Sequence, residues 1–164
     1  MNIEKNREVY NNAGQEYERY YFDEISGGFI LIHQNHNLTE SEIFVARIFA
    51  QSGKKVTLLS EQTEEGVKTP DAEIDQELWE FKELKNAINL RGATQRDIRN
   101  GRKQAGNIAY HINQDYDISR INAGIESALR FDQERLVQKI TLVFNDNKIE
   151  TLTREELDNG NRFQ

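Results

Sequence analysis

Residues 69–74 and 77–82 are two short segments rich in strand-forming residues, and only Asp75 and Gln76 separate them. A two-residue connection predicts a β-hairpin. Tight hairpin turns favour glycine, which is absent here, so a three-residue loop with a shifted register is the alternative. Around this hairpin, helical and strand patterns alternate along the chain. Alternation interrupted by one antiparallel hairpin predicts an α/β fold with a mixed sheet.

The hairpin brings three charged residues together on one face. In the two-residue register Asp71 lies opposite Glu80, and directly opposed side chains are roughly 4.5–5.5 Å apart, where like charges are destabilising. Lys82 follows Glu80 by two residues and therefore shares its face. Two opposed carboxylates favour a divalent cation between them. The alternative is a cross-strand ion pair in which Lys82 only offsets the acids.

The remaining elements follow from apolar periodicity and turn residues. We expect a single domain over residues 1–164, with a mixed central β-sheet flanked by helices. Within it we distinguish an N-terminal helical extension (1–28), a core (39–113), and a C-terminal helix with strands (114–164). The predicted helices are 4–21, 39–52, 92–107 and 118–131, with a helical turn at 153–158, and the predicted strands outside the hairpin are 29–32, 55–59, 108–112, 139–144 and 148–152.

Composition excludes several classes of protein. The chain has no cysteine, so it can form neither a disulfide nor a thiolate metal site. No apolar run approaches the roughly 20 residues that span a bilayer, and we expect no membrane partner. The net charge is −7, but residues 82–103 carry seven basic and two acidic side chains, a net +5 against −12 elsewhere. This basic segment is either a phosphate-binding surface or a solvated charged helix.

Pro70–Asp71 and Glu80–Phe81–Lys82, in the order helix, strand, hairpin, basic helix, strand, resemble the PD-(D/E)XK nuclease superfamily. The resemblance covers roughly residues 39–113 and implies a restriction-endonuclease-like core. The run from His36 to Lys82 is also similar to the CdiA-type C-terminal toxin tRNA nucleases of contact-dependent growth inhibition and to related phage-encoded domains.

The chemistry of such a nuclease assigns roles to the hairpin residues. Asp71 and Glu80 would supply carboxylates to a divalent metal, most naturally Mg²⁺, with Mn²⁺ or Zn²⁺ as alternatives. The resemblance implies a further ligand, the backbone carbonyl of Phe81. Lys82 would orient or deprotonate the attacking water, or stabilise charge in the transition state.

Three further groups of residues are candidates. Glu42 matches a catalytic carboxylate that the superfamily often places on the preceding helix, but Thr39 and Glu42 also spell a capping box. Relatives often contact the substrate backbone through the basic helix, here with Arg96, Arg99, Lys103 and Gln104; surface solubility is the competing explanation. His36 has a counterpart in the toxin-like match and is either a general acid–base or a structural histidine.

Together these features predict a metal-dependent endonuclease, with RNA, and tRNA in particular, favoured over DNA solely by the toxin resemblance. The alternatives are a DNA endonuclease of the same fold, a metal-free histidine-dependent ribonuclease, and an inert binding module. The resemblance also implies a cognate immunity protein. We expect a cytoplasmic site of action, reached as part of a secreted toxin.

Overall fold

A computed structural model describes residues 2–62, 67 and 69–164. The chain divides into two compact units, Met1–Leu78 and Trp79–Gln164. Each unit combines helices with a mixed set of strands, which confirms the predicted α/β fold with mixed β-sheet and flanking helices. The restriction-endonuclease-like character of the core stays a prediction.

The first unit places four strands side by side in chain order. β1 pairs antiparallel with β2, β2 pairs parallel with β3, and β3 pairs antiparallel with β4. The elements are α1 (Ile3–Asn11), β1 (Tyr17–Phe22), β2 (Phe29–His33), α2 (Glu40–Gln51), β3 (Lys55–Leu58) and β4 (Ala72–Ile74).

The prediction of one helix over residues 4–21, and with it a wholly helical extension over 1–28, is wrong. The helix ends at Asn11, and residues 17–22 form β1. The tyrosines of this segment have helical spacing, but aromatic residues also favour strands. Partner residues on β2 decide the outcome, because Tyr17 lies opposite His33 and Phe22 opposite Phe29.

The helices of the first unit cover a strand that is buried on both faces. Phe29 and Leu31 of β2 pack with Tyr10 of α1, while α2 packs against β2 and β3. Gly28 lies directly against α2, since a Cβ there would be 1.8 Å from the Ala50 carbonyl oxygen. Only glycine allows the start of β2 to approach the helix this closely.

Asp75 and Gln76 occupy the turn between β4 and the next strand. Both have positive φ, 48° and 73°, as the two central residues of a type I′ hairpin turn require. The Asp75 carboxylate accepts from the Lys55 backbone N–H at 2.9 Å. That contact helps aspartate to take a position where glycine is common.

In the second unit three parallel strands are followed by an antiparallel one. β5, β6 and β7 are parallel neighbours, and β8 pairs antiparallel with β7. The elements are β5 (Glu77–Leu84), α3 (Leu90–Gly101), β6 (Asn107–Ile112), α4 (Ile118–Arg130), β7 (Lys139–Phe144), β8 (Ile149–Thr153) and α5 (Arg154–Asp158). The basic helix thus ends six residues before the predicted position.

Helices α3 and α4 pack closely on each other. Gly124 permits the approach, because a Cβ there would lie 2.6 Å from the Arg91 carbonyl oxygen. Both helices share one apolar core with the strands, in which Ile98, Ile108 and Ile125 are buried. The core fixes the orientation of α3 about its axis, and therefore which of its side chains face solvent.

A buried ion-pair cluster joins the segment after α4 to α5. The Asp132 carboxylate accepts from the Arg154 guanidinium at 2.6 Å and from the Val137 N–H at 2.9 Å. Arg102 adds a third contact at 3.2 Å. Although burial opposes ionisation, the backbone N–H groups and Arg154 keep the pKa of Asp132 below its usual value.

None of the helices in the described part of the chain has both the length and the apolar character that crossing a bilayer requires.

Candidate functional site

Glu80 and Lys82 form an ion pair on β5. The Lys82 Nζ lies 3.4 Å from Glu80 Oε2, and the two side chains are 24% and 7% exposed. Their contact confirms that they share one face of the strand, as the two-residue spacing predicted. A carboxylate that is this buried keeps its charge only beside a cation or hydrogen-bond donors. The pair therefore concentrates charge at one point of an otherwise apolar face.

The aliphatic part of Lys82 reaches the inner face of α3. A Cβ on Gly101 would lie 3.5 Å from Lys82 Cε, which is ordinary contact distance. Beside Lys82 in the sheet register is Tyr110, a fully buried residue whose hydroxyl donates to Asp97 Oδ2 at 2.8 Å. Burial, and next the negative charge of Asp97, raise the pKa of the Tyr110 hydroxyl. Lys82 thus lies between the buried Glu80 and the sheet-facing side of α3.

Trp79 and Phe81 lie on the other face of β5 by strand alternation. Both side chains are buried, and the Trp79 ring lies 5.5 Å from Lys139 Nζ. The burial of both rings anchors this face of β5 in the core. Metal coordination by the Phe81 carbonyl stays a prediction.

The predicted substrate-binding residues Arg96, Arg99 and Lys103 line one pocket on the outer face of α3, with a volume of about 430 Å³. Helical geometry places Arg96 and Arg99 on the side opposite Gly101, where Lys82 makes its contact, and Lys103 lies in the turn that follows α3. The two arginines therefore face away from the Glu80–Lys82 pair. A ligand bound in this pocket would therefore lie on the other side of α3 from that pair.

Gln104, the fourth predicted substrate-binding residue, is not among the residues that line this pocket. Its side chain folds back on the end of α3; with the amide group turned to the orientation that satisfies both of its polar atoms, the nitrogen donates to the carbonyls of Asn100 and Gly101. Both carbonyls also accept backbone N–H groups, those of Lys103 and Gln104, so the side chain adds to the hydrogen bonds at this helix end. The geometry suits a capping role.

In the first unit the predicted residues His36 and Glu42 are in contact, and both His36 and the backbone of Asp71 bond to Leu59, just after β3. The Leu59 N–H donates to the Asp71 carbonyl at 2.9 Å, and the Leu59 carbonyl accepts from His36 Nδ1 at 2.6 Å. His36 Nε2 in turn lies 2.9 Å from Glu42 Oε2. The residues are up to 35 positions apart in the sequence. The predicted opposition of Asp71 and Glu80 across the hairpin stays a prediction.

Glu42 performs the capping function that the sequence offered as an alternative. Its Oε1 accepts from the Thr39 N–H at 3.0 Å, and the Thr39 hydroxyl accepts from the Glu42 N–H at 3.1 Å. Its other oxygen is the one that contacts His36. Both carboxylate oxygens are thus engaged, and a catalytic role would require one of them to exchange its partner.

His36 is held as an imidazolium ion. Burial alone would lower its pKa, but hydrogen bonds to Glu42 and to the Leu59 carbonyl, with the charges of Glu42 and Glu61, outweigh this and raise it to about 9. Among the described residues, His36, Glu42 and Glu61 form a group whose spacing would suit a metal ion. A hydrogen bond from His36 Nε2 to the Glu42 carboxylate already explains why these two side chains are close, with or without a metal ion.

Sequence reasoning missed two partners of the basic helix. Asp97 was counted only as an acidic residue, yet it joins α3 to Tyr110. Phe131, at the end of α4, carries the Arg99 guanidinium 4.7 Å from the centre of its ring. The sequence offers no signal for either contact, because each partner is more than ten residues away and depends on how α3 packs.

Comparisons with known proteins give two matches. A family model described as the contact-dependent growth inhibition CdiA C-terminal domain matches residues 68–149, half of the chain. A solved structure described as the CdiA-CT/CdiI toxin and immunity complex from Burkholderia pseudomallei is similar with a TM-score of 0.49 and 17% identity, over 68% of this chain and 81% of that chain. No curated protein matches.

Proposed function

Because the chain belongs to the family of CdiA C-terminal domains of contact-dependent growth inhibition, we propose that it is a toxin domain acting as a metal-dependent endonuclease on RNA. The family supports the growth-inhibiting role. The resemblance of Pro70–Asp71 and Glu80–Phe81–Lys82 to the PD-(D/E)XK motif supports the nuclease chemistry.

The Glu80–Lys82 pair carries the proposal. A buried carboxylate beside an ammonium group, both on one strand face, is the arrangement that the motif requires of its last two charged residues. The same contact would exist in a purely structural ion pair; the resemblance to the motif is what favours the metal-binding role.

The donor set fits a hard divalent cation. Carboxylate and carbonyl oxygens, here those of Asp71, Glu80 and the Phe81 backbone, are the ligands that Mg²⁺ and Mn²⁺ prefer. Zn²⁺ is the less suitable choice, since it usually takes nitrogen or sulfur ligands as well. When bound, the cation would acidify a water molecule and offset negative charge on the phosphoryl group.

Lys82 supplies the other part of the chemistry. Its ammonium group is a compact, mobile charge, which suits contact with an attacking water or with a phosphoryl oxygen. Its stem is held between Glu80 and Gly101, so the position of the charge is restricted. Glu42 contributes as the additional carboxylate only if it releases the Thr39 cap or His36.

The proposed substrate is RNA, and within this class tRNA, on the strength of the toxin resemblance. Arg96, Arg99 and Lys103 would contact phosphates away from the cleaved bond. Their pocket on α3 is basic in a chain of net charge −7, and neutralised phosphates are the main source of affinity for nucleic acid.

The proposal includes an immunity protein and delivery into another cell. An enzyme that cleaves cytoplasmic RNA would damage the cell that makes it unless a partner blocks the site. We therefore propose that a cognate immunity protein covers the Glu80–Lys82 region, and that the domain acts in the cytoplasm of the recipient after export as part of a longer toxin.

The metal-free alternative has less support. A ribonuclease that relies on histidine needs an imidazole that gains and loses a proton near neutral pH while touching the substrate. His36 is buried, and both of its ring nitrogens are engaged. With a pKa of about 9 it would remain protonated at pH 7.

The test is cleavage by the purified protein of tRNA and of plasmid DNA, with Mg²⁺ and with EDTA. We expect cleavage of tRNA in Mg²⁺ only, and its loss in Glu80→Gln. The matched control is Glu83→Gln, because Glu83 is an exposed carboxylate of the same strand that contacts Asn113 instead. Cleavage in EDTA would refute the metal mechanism, cleavage of DNA alone would refute the substrate class, and RNA binding without cleavage would favour an inert binding module.

A further inference from the structure

The outer face of α3 carries positive charge next to an exposed aromatic ring. Arg96, Arg99 and Lys103 are exposed side chains of its pocket. The Arg99 guanidinium lies over the ring of Phe131, and Phe131 is 55% exposed. A positively charged surface and an exposed aromatic ring therefore adjoin each other within one unit.

The acidic residues near this surface, Asp97 and Asp132, are already bonded to other side chains of the protein. Asp97 gives one oxygen to Tyr110 and the other to Arg96. Asp132 is buried and bonded to Arg102 and Arg154. Among the described residues, neither Arg99 nor Lys103 forms an ion pair, so their charges are available to a ligand.

The backbone of Phe131 is bonded to the C-terminal end of α3. Phe131 is the C-terminal cap of α4, and the Arg102 guanidinium donates to its carbonyl oxygen at 3.0 Å. Arg102 also bonds the buried Asp132. The backbone that carries the ring is thus held at the end of α3, and more than half of the residue is exposed.

Such a combination suits an unstacked nucleotide. Proteins that bind single-stranded RNA combine cations for the phosphates with aromatic rings or arginine planes on which a base stacks. Duplex RNA keeps its bases stacked inside and would reach only the cations. A pocket of about 430 Å³ lies within the ~300–1,000 Å³ range of sites for small organic groups.

We propose that Arg99 and Phe131 form a base-stacking subsite for a single-stranded nucleotide, next to phosphate contacts from Arg96 and Lys103. The inference rests on the proposed action on RNA and adds to it. The domain recognises an unpaired stretch of its substrate, such as a loop or a free end, through the outer face of α3.

The test measures binding in the Glu80→Gln background, where the RNA should stay intact. Three probes are used: an oligouridylate of about 12 nucleotides, the abasic ribose-phosphate chain of equal length, and an RNA duplex. We expect Phe131→Ala to weaken oligouridylate binding roughly tenfold and to leave binding of the other two probes unchanged, because stacking on one ring contributes about 5- to 150-fold. Phe131→Trp should retain the affinity.

Lys103→Ala is the matched control. It should weaken binding of all three probes by a similar factor. It should also reduce the slope of log affinity against log salt concentration by about one, the value for one phosphate contact. An equal loss for the abasic chain in Phe131→Ala, or no loss for oligouridylate, would overturn the stacking subsite. Binding of none of the probes at low salt would also overturn it and would favour an acidic protein partner. If Phe131→Ala behaves as expected but the wild type never cleaves RNA, the subsite stands and the nuclease proposal fails.

Discussion

His36 donates from Nε2 to Glu42 Oε2 at 2.9 Å, and from Nδ1 to the Leu59 carbonyl. The contact joins the loop after β2 to the first turn of α2 and to the end of β3. It also fixes the protonated state of the imidazole, because both ring nitrogens face acceptors. A charged histidine inside the first unit makes stability depend on pH.

We expect this unit to lose stability as the pH rises. The folded-state pKa of His36, about 9, lies above the ordinary value of 6.5. The stabilisation is therefore complete below pH 6.5 and disappears as the pH rises through 9. The loss should be on the order of 3 to 4 kcal/mol, since one pKa unit corresponds to about 1.4 kcal/mol. Urea unfolding between about pH 6 and pH 10 measures it.

The control for this prediction is His36→Gln. Glutamine keeps a hydrogen-bonding side chain but has no proton to lose, so the difference in unfolding free energy between wild type and variant should shrink with rising pH. A difference that stays constant over this range would show that folding does not raise the pKa of His36.

Asp132 should be among the most important polar residues for folding of the second unit. In Asp132→Ala the buried Arg154 loses its main partner, and we expect a loss of about 3–5 kcal/mol. Asp158→Ala removes a more exposed partner of the same arginine, 3.1 Å from Nε, and should cost less than about 1 kcal/mol. Similar losses in the two variants, measured by urea unfolding, would contradict this ranking.

Two glycines in the first unit should differ sharply in their tolerance of alanine. At Gly28 the new methyl group would meet the Ala50 carbonyl of the backbone, so Gly28→Ala should destabilise the protein by about 3 kcal/mol. At Gly14 it would meet only the flexible Glu16 carboxylate, and Gly14→Ala should change stability by less than about 1 kcal/mol. Thermal unfolding of both variants provides the comparison, and equal shifts would be inconsistent with the close approach at Gly28.

Lys82→Arg separates the two readings of the Glu80–Lys82 pair. Arginine keeps the positive charge beside Glu80, so stability should change by less than about 1 kcal/mol. Its planar group cannot replace a compact ammonium near the phosphoryl oxygens, and RNA cleavage should fall about 100-fold. Lys85→Arg, an exposed lysine outside the strand, should alter neither quantity. Cleavage at the wild-type rate in Lys82→Arg would reduce the role of Lys82 to charge balance.

The sequence predicted those features that depend on local periodicity. The apolar runs at 29–32 and 139–144 are strands, and the two-residue alternation placed Glu80 and Lys82 on one face. It failed at residues 17–22, where tyrosines at helical spacing form a strand, because pairing with β2 outweighs the local pattern. Local patterns carry no information about such partners.

The candidate site shows the same limit. The capping box at Thr39 and Glu42 was visible in the sequence, but its second partner, His36, was not paired with it. The basic residues of α3 were identified correctly as neighbours, yet their direction away from Lys82 follows only from how the helix packs. Phe131 was invisible as a partner of Arg99, since the contact joins two helices.

The binding of Mn²⁺ to the folded protein, followed by electron paramagnetic resonance, most directly tests whether Glu80 is a metal ligand. The proposed function predicts one site per chain, weakened about tenfold or more in both Glu80→Gln and Asp71→Asn and unchanged in Glu83→Gln. Equal Mn²⁺ affinity in wild type and Glu80→Gln would contradict the metal-dependent mechanism.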